Sequence, residues 1–365
     1  MCKLFGENWK REHLLRHVGD IRQIADVRLS ELSDGPGRGV RIADFKTGSG
    51  FAFTVLIDRG MDIGEATYNG IPLAFRSPIG VKHSCYYEPQ NSGWLRNFHG
   101  GWLITCGLTN VGVSGKDELG SYEMHGRASN LPATLISYGG RWQDDEYELW
   151  LEASIRETSF FGFDIQLTRR FSARLGESYL KIVDKIENLS ERESPFMLLY
   201  HCNFGFPLVS ADSRLVLSQS SVQPRDDNAK KAIENHLVME VPQRGFAEQV
   251  FFHDLNTDGQ GYATAAVVNE DLDLAGFVSF QKHELPNFIE WKQMGSKEYV
   301  LGLEPANCLV MGREQERQRG TLQMLQPGEV RETMLYLGVM SGKMNITKLV
   351  NTIQTQNPVL LHTVK

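Results

Sequence analysis

The chain has 365 residues, 41% of them hydrophobic and 23% charged, with a formal net charge of −7 and a sequence pI of about 5.8. These proportions are ordinary for a soluble globular protein, and the acidic balance argues against a nucleic-acid or anionic-membrane partner, which would want a basic surface. The five cysteines, Cys2, Cys85, Cys106, Cys202 and Cys308, are odd in number and widely spaced, with no CxxC pair. That usage points to reduced thiols in a cytoplasmic protein rather than to a zinc ribbon. The start, Met1-Cys2-Lys3-Leu4, leads into charged residues without the apolar core of a signal peptide. No stretch approaches the roughly 18 apolar residues that a membrane helix needs.

Glu7 to Val18, with Trp9, Leu14, Leu15 and Val18 apolar, reads as one short amphipathic helix stopped by Gly19. Beyond it helical periodicity gives way to alternating runs: Gly39 to Phe45, Phe51 to Ile57, Ala133 to Tyr138, Tyr147 to Arg156, Phe163 to Phe171 and Tyr179 to Ile186. Most are bounded by Gly, Asn, Asp or Pro, and this meander with evenly spaced turns predicts an all-β fold, a large antiparallel sandwich. Gln223 to His236 reads as a polar loop with a helical turn, and Glu332 to Val339 as a final strand. A prior of about 150 residues per domain would divide the chain, but large all-β folds run longer as one unit. The expected organisation is an N-terminal helix and lead-in strand over 1–35, one sandwich over 36–342, and a tail with a short helix over 343–365.

Four islands place titratable residues in apolar or glycine-rich surroundings, where burial is costly unless the group is partnered. They are Asn97-Phe98-His99-Gly100-Gly101-Trp102, Met124-His125-Gly126-Arg127, Leu198 to Leu208 around Tyr200-His201-Cys202-Asn203, and Tyr299 to Asn307 around Leu303-Glu304-Pro305. Each allows a structural reading beside a functional one. His201 reads equally as a core histidine bonded to backbone, and Glu304 as an ion-pair partner of Arg313. His99 could line a turn, whereas His125 and Arg127 point the same way along an extended chain. Arg59 and Asp62 read more readily as a turn held by a salt bridge than as substrate ligands. Trp291 with Lys292 could form a sugar-stacking platform, although a core Trp is commoner. No HxH, HExxH or GxSxG pattern occurs, so neither a sequence-local zinc site nor a hydrolase elbow is expected.

These islands resemble the aldose 1-epimerase (galactose mutarotase-like) superfamily, in particular a bacterial branch without a specific function. The resemblance runs from about Arg38 to Gly338. It rests on Asp58-Arg59-Gly60-Met61-Asp62-Ile63, Gly100 to Leu108, His125-Gly126-Arg127, Asn188-Leu189-Ser190 through Pro195 to His201, and Gly302-Leu303-Glu304-Pro305. It implies a supersandwich fold, Glu304 as catalytic base and His201 as acid. The chain carries both His99-Gly100-Gly101 and His125-Gly126-Arg127-Ala128, and the following Asn130-Leu131-Pro132 favours His125 as the auxiliary histidine. The sugar-binding aspartate of mutarotases has no clear counterpart; Asp254 is the weak candidate.

The implied activity is interconversion of the α and β anomers of a free sugar. It needs a base at the C1 hydroxyl and an acid at the ring oxygen, with no cofactor and no metal. Substrate contacts are expected from His125, Arg127, His99, Asn203, Arg59, Asp254, Trp291, Lys292 and Arg313. Two other readings stay open: a sugar-binding or sensing sandwich without turnover, and a metal-dependent isomerase or lyase acting on a sugar acid. The sequence identifies neither the sugar nor the oligomeric state, a homodimer being among those it allows.

Overall fold

The computed structural model describes residues 2–357. The chain first lays down β1 (Asp26–Glu31), β2 (Arg41–Lys46), β3 (Phe51–Leu56), β4 (Asp62–Tyr68) and β5 (Leu103–Leu108) in one sheet. It crosses to a second sheet as the meander β6 (Thr134–Gln143), β7 (Glu146–Thr158), β8 (Asp164–Arg174) and β9 (Tyr179–Asn188), then returns as β10 (Ser194–Gly205). The rest alternates between sheets: β11 (Ser213–Leu217), β12 (Gln219–Pro224), β13 (Gln249–Leu255), β14 (Tyr262–Asn269), β15 (Leu274–Gln281), β16 (Asn287–Gly295), β17 (Glu298–Ala306) and β18 (Val330–Ser341). The large sheet runs β12-β13-β16-β17-β10-β5-β4-β3-β2-β1, with the short strands Ile71–Pro72 and Gln323–Leu325 added to β4 and β10. The second sheet runs β6-β7-β8-β9-β18-β15-β14-β11, and the ladders are antiparallel.

Alternation explains the meander. Along β8 every second side chain is buried, Ile165, Leu167, Arg169, Phe171 and Ala173, while the residues between are half-exposed. β10 differs in being buried on both faces from end to end. It lies mid-sheet, with the sandwich core on one side and a layer of loops on the other. That outer layer, where Trp94 packs with Ile104, Leu199 and Ile289, is where the site forms. The outer face of the second sheet is covered by the helix Lys343–Thr355, whose Ile346, Leu349 and Ile353 pack on Val216, Ala266, Val268 and Phe277. The remainder of that expected tail, from 358 on, lies outside the described residues. No helix among the described residues is long and apolar enough to cross a membrane.

Two expectations about local elements change. Only Arg11–Leu15 is helical near the N-terminus; Cys2–Leu4 and Glu7–Trp9 form a hairpin instead of the first part of the expected helix. Phe5 and Gly6 both take positive φ, 54° and 85°, which makes the two-residue turn that hairpins favour, and the Trp9 indole donates to the Leu4 carbonyl at 3.2 Å. Tertiary pairing here overrides the helical periodicity. The polar segment after β12 holds a true helix, Asp227–Ala232, capped by Asp226, which accepts from the Ala229 amide at 2.9 Å.

A buried ionic network ties the sheets together beneath β10. Arg169 on β8 donates to both carboxylate oxygens of Asp184 on β9, at 2.8 and 2.6 Å. It also reaches the Thr105 hydroxyl at 2.8 Å and the Met61 carbonyl at 3.2 Å in the large sheet. The Tyr200 hydroxyl of β10 donates to Asp184 at 2.7 Å. Arg169, Asp184 and Tyr200 are all fully buried. Removing Asp184 would leave Arg169, among carboxylates, only the longer 3.7 Å contact with buried Asp62, so Asp184→Ala is expected to cost about 3–5 kcal/mol in urea unfolding. A loss below about 1 kcal/mol would show that the network contributes geometry and little stability.

Candidate active site

Because side chains alternate along a strand, Tyr200 pointing into the sandwich sends His201 to the opposite, outer face of the large sheet. β10 pairs with β17 through Cys202↔Leu303 and Asn203↔Gly302, and the same register carries His201 to a place facing Glu304. His201 Nε2 and Glu304 Oε1 are 3.1 Å apart. The alignment is too poor for a hydrogen bond, and Glu304 Oε1 and His201 Nδ1 are buried without partners. Gly302, two residues before Glu304 on the same face, leaves room for the carboxylate: a Cβ there would lie 2.5 Å from Glu304 Oε1 and push it aside.

The pair forms the floor of a cavity of about 500 Å³, within the range that holds a small ligand. Four aromatic residues wall it, Phe75, Trp94, Phe98 and Trp291. Trp291 meets the His201 ring edge-on at 5.1 Å, and Phe98 lies 5.6 Å from His201 and 6.0 Å from Trp291. Trp94 packs at 4.5 Å on His125. His125 reaches the cavity from a left-handed backbone position, φ 53°, with its ring 6.2 Å from His201. At the rim, Arg225 donates to Glu248 at 2.8 Å, and the Trp291 indole donates to the other Glu248 oxygen at 2.8 Å.

Burial sets the electrostatics. Desolvation, with Glu248 adding repulsion, pushes Glu304 well above the usual carboxylate range, and Arg225 opposes this. Desolvation and the neighbouring His125 hold His201 down at about 3, and desolvation holds His125 at about 4. Both effects move the pair's proton toward Glu304.

The other sequence-derived candidates are distributed widely. Asn203 lies on the His201 face, fully buried, its amide donating to the His201 carbonyl at 3.0 Å and its Oδ1 unpartnered. His99 is buried beside Gly101 with neither ring nitrogen bonded and is not on the cavity wall. Arg127 is exposed and lies off the wall, because His125 and Gly126 both take positive φ, 53° and 67°, and the extended run expected there does not form. Arg59 is a structural tie: its guanidinium donates to the carbonyls of Ser129, Lys82 and Asn97 at 2.9, 2.7 and 3.0 Å. Lys292 follows Trp291 and therefore faces inward, bonded to the Val238 carbonyl and Glu240. Arg313 is clamped by Asp117 through two 2.7 Å contacts, so the expected pairing with Glu304 does not form. Asp254 is exposed and paired with Lys282 and Ser220, away from the cavity. Sequence reasoning missed Trp94, in the short 3-10 helix Gly93–Arg96, and Arg225 and Glu248, in loops with no local pattern to mark them.

A family described as a domain of unknown function (DUF4432) matches residues 37–339. The chain belongs to this family. No curated protein matches it. Among solved structures, a candidate aldose 1-epimerase from Klebsiella pneumoniae is similar over 96% of this chain and 93% of its own, with a TM-score of 0.86 and 24% identity. A galactose mutarotase-like protein from Clostridium acetobutylicum has a TM-score of 0.63 at 16% identity, covering 87% of this chain and 99% of its own. A galactose 1-epimerase from Lactobacillus acidophilus gives 0.57 at 13% identity, again covering 87% and 99%. At such identities the likeness speaks to the fold: this DUF4432 chain is a galactose mutarotase-like sandwich, as its residues led one to expect.

The histidine environments in this DUF4432 chain have a measurable consequence. A histidine whose folded pKa is depressed takes up a proton on unfolding below its ordinary value near 6.5. The stabilisation is therefore complete above that value and is lost as pH falls toward the folded values. Ring 1H–15N spectra are expected to show His125 and His201 neutral at about pH 5.5, and His201→Asn to lose stability less steeply than wild type below pH 6.5. Protonated rings at about pH 5.5 would contradict the desolvated site.

Proposed function

We propose that this protein is an aldose 1-epimerase acting on an unphosphorylated sugar, with Glu304 and His201 as the acid–base pair. The observation that carries the reading is the juxtaposition at the cavity floor: a buried carboxylate oxygen without a hydrogen-bond partner, 3.1 Å from an imidazole nitrogen. Ring opening moves one proton from the C1 hydroxyl and delivers one to the ring oxygen. Glu304 accepts the first and His201 donates the second, and the reverse step closes the ring on the other face after C1 rotates. The form that starts this cycle is carboxylate plus imidazolium. Burial disfavours it, and hydrogen bonds from the sugar's hydroxyls to the carboxylate favour it. Trp291, Trp94 and Phe98 offer faces and edges for the apolar side of a pyranose, and His125 is within the same cavity for a hydroxyl contact.

The preference against phosphate follows from charge. Among the described residues Arg225 is the one arginine or lysine on the wall, and it is bonded to Asp226 and Glu248. A dianionic group would instead meet Glu248, Glu298 and Glu304 on that wall. The aromatic walls alone would also suit a sugar-binding protein without turnover; the carboxylate–imidazole pair is the feature such a binder does not need.

Anomer-exchange NMR over common aldoses, ketoses and sugar phosphates is the direct test. Glu304→Gln and His201→Asn are each expected to lower the accelerated rate about 10²–10⁴-fold with the melting temperature nearly unchanged. Acceleration of no sugar by the wild-type chain would remove the enzyme reading and leave the binding one. A full rate in either variant would remove that residue from the mechanism.

A further inference from the structure

A second cluster of ligating side chains lies on the other face of the same sheet. Glu290 precedes Trp291 on β16, so as Trp291 faces the cavity Glu290 faces the sandwich interior, where it is fully buried. Its Oε2 lies 3.0 Å from His236 Nδ1 and 3.0 Å from His253 Nε2. His253 comes from the neighbouring strand β13, and His236 from the turn after the 3-10 helix Ile233–Asn235. The three donor atoms lie within 4.8 Å of one another. The other carboxylate oxygen, Glu290 Oε1, is buried with no hydrogen-bond partner. Behind His253, its Nδ1 is 2.5 Å from Gln219 Oε1.

We propose that His236, His253 and Glu290 form a structural zinc site. The chemistry of the donor set fits: two imidazoles and a carboxylate suit zinc, bound at about 2.0–2.2 Å, which places ligand atoms roughly 3–3.5 Å apart. The two nitrogen–oxygen separations already have that value, and the imidazoles need close by no more than about 1–2 Å to share an ion. Glu290 Oε1 then supplies a fourth donor from the same carboxylate. Gln219 takes the supporting role: an amide oxygen accepts only, so the proton sits on His253 Nδ1 and the lone pair of Nε2 is directed at the cluster. With that neutral tautomer, a bare carboxylate and an imidazole lone pair would face each other at 3.0 Å, a conflict that a bound cation resolves, as would a second proton on the ring. Nearby Lys292 does not compete, since its ammonium is held by Glu240 and the Val238 carbonyl. Full burial and separation from the cavity by the sheet itself make the role structural: the ion would pin the loop carrying His236 to β13 and β16. None of these residues is near another in sequence, which is why no zinc spacing was visible.

The test uses the untagged full-length chain, stripped with chelator, re-supplied with Zn²⁺ and desalted. It is expected to retain about one zinc per chain by mass spectrometry, to melt at higher temperature with zinc than without, and to lose the ion in Glu290→Gln and His253→Phe. Co²⁺ in place of zinc is expected to give weak visible bands without a thiolate charge-transfer band. Retention below about a tenth of an equivalent by the wild-type chain overturns the proposal, leaving a carboxylate clamped by two imidazole N–H groups with the Gln219 amide reversed. A thiolate band overturns it too, placing the metal on cysteine. If the variants fail to fold, wild-type stoichiometry and the cobalt spectrum decide.

Discussion

The placement of the site depends on one buried contact, the clasp of Arg169 and Asp184 around the Tyr200 hydroxyl. Burying an ion pair is favourable only when its remaining donors and acceptors are met. Here they are, by Thr105 and Met61 on the large sheet and by Thr333, which also bonds Tyr200, on the second. The clasp fixes which face of β10 looks inward. A one-residue slip would turn Tyr200 outward and send His201 into the core, exchanging the site for a buried charge problem.

From that register the site follows with few further choices. β17 lies against β10 in antiparallel register and brings Glu304 beside His201. The loops that cover the outer face add aromatic rings and exclude water, and the same exclusion separates the two pKa values in opposite directions. Rim groups act on this pair at a distance: Glu248 raises the carboxyl and Arg225 lowers it, while Glu248 holds both the Trp291 indole and Arg225 in place.

Much of this was legible in the sequence, for physical reasons. Period-two alternation marked the meander from Thr134 to Asn188 because that sheet buries one face. His201 and Glu304 stood out because they interrupt apolar runs on strands buried on both sides. What was not legible depended on long-range pairing. Arg313 finds Asp117, almost two hundred positions earlier in the chain, and Arg59 finds three loop carbonyls; both look like site cations until the fold shows their partners. Lys292 was misplaced by one step of alternation, which a strand assignment around Trp291 would have corrected. Arg225 and Glu248 lie in polar loops, where no period distinguishes a rim residue from any solvated one.

The depth of Glu304 and His201, only 2% and 6% exposed, bears on what kind of turnover such a floor can sustain. A reaction that ends its cycle with a net proton to discharge would need a relay to carry it from two groups buried this deeply. Anomer interconversion leaves the proton inventory where it began: what is borrowed from one oxygen is returned to it in the closing step. The depth of the pair is therefore no handicap to that chemistry, and the desolvation that shifts the two ionisations also favours returning the proton within the cavity.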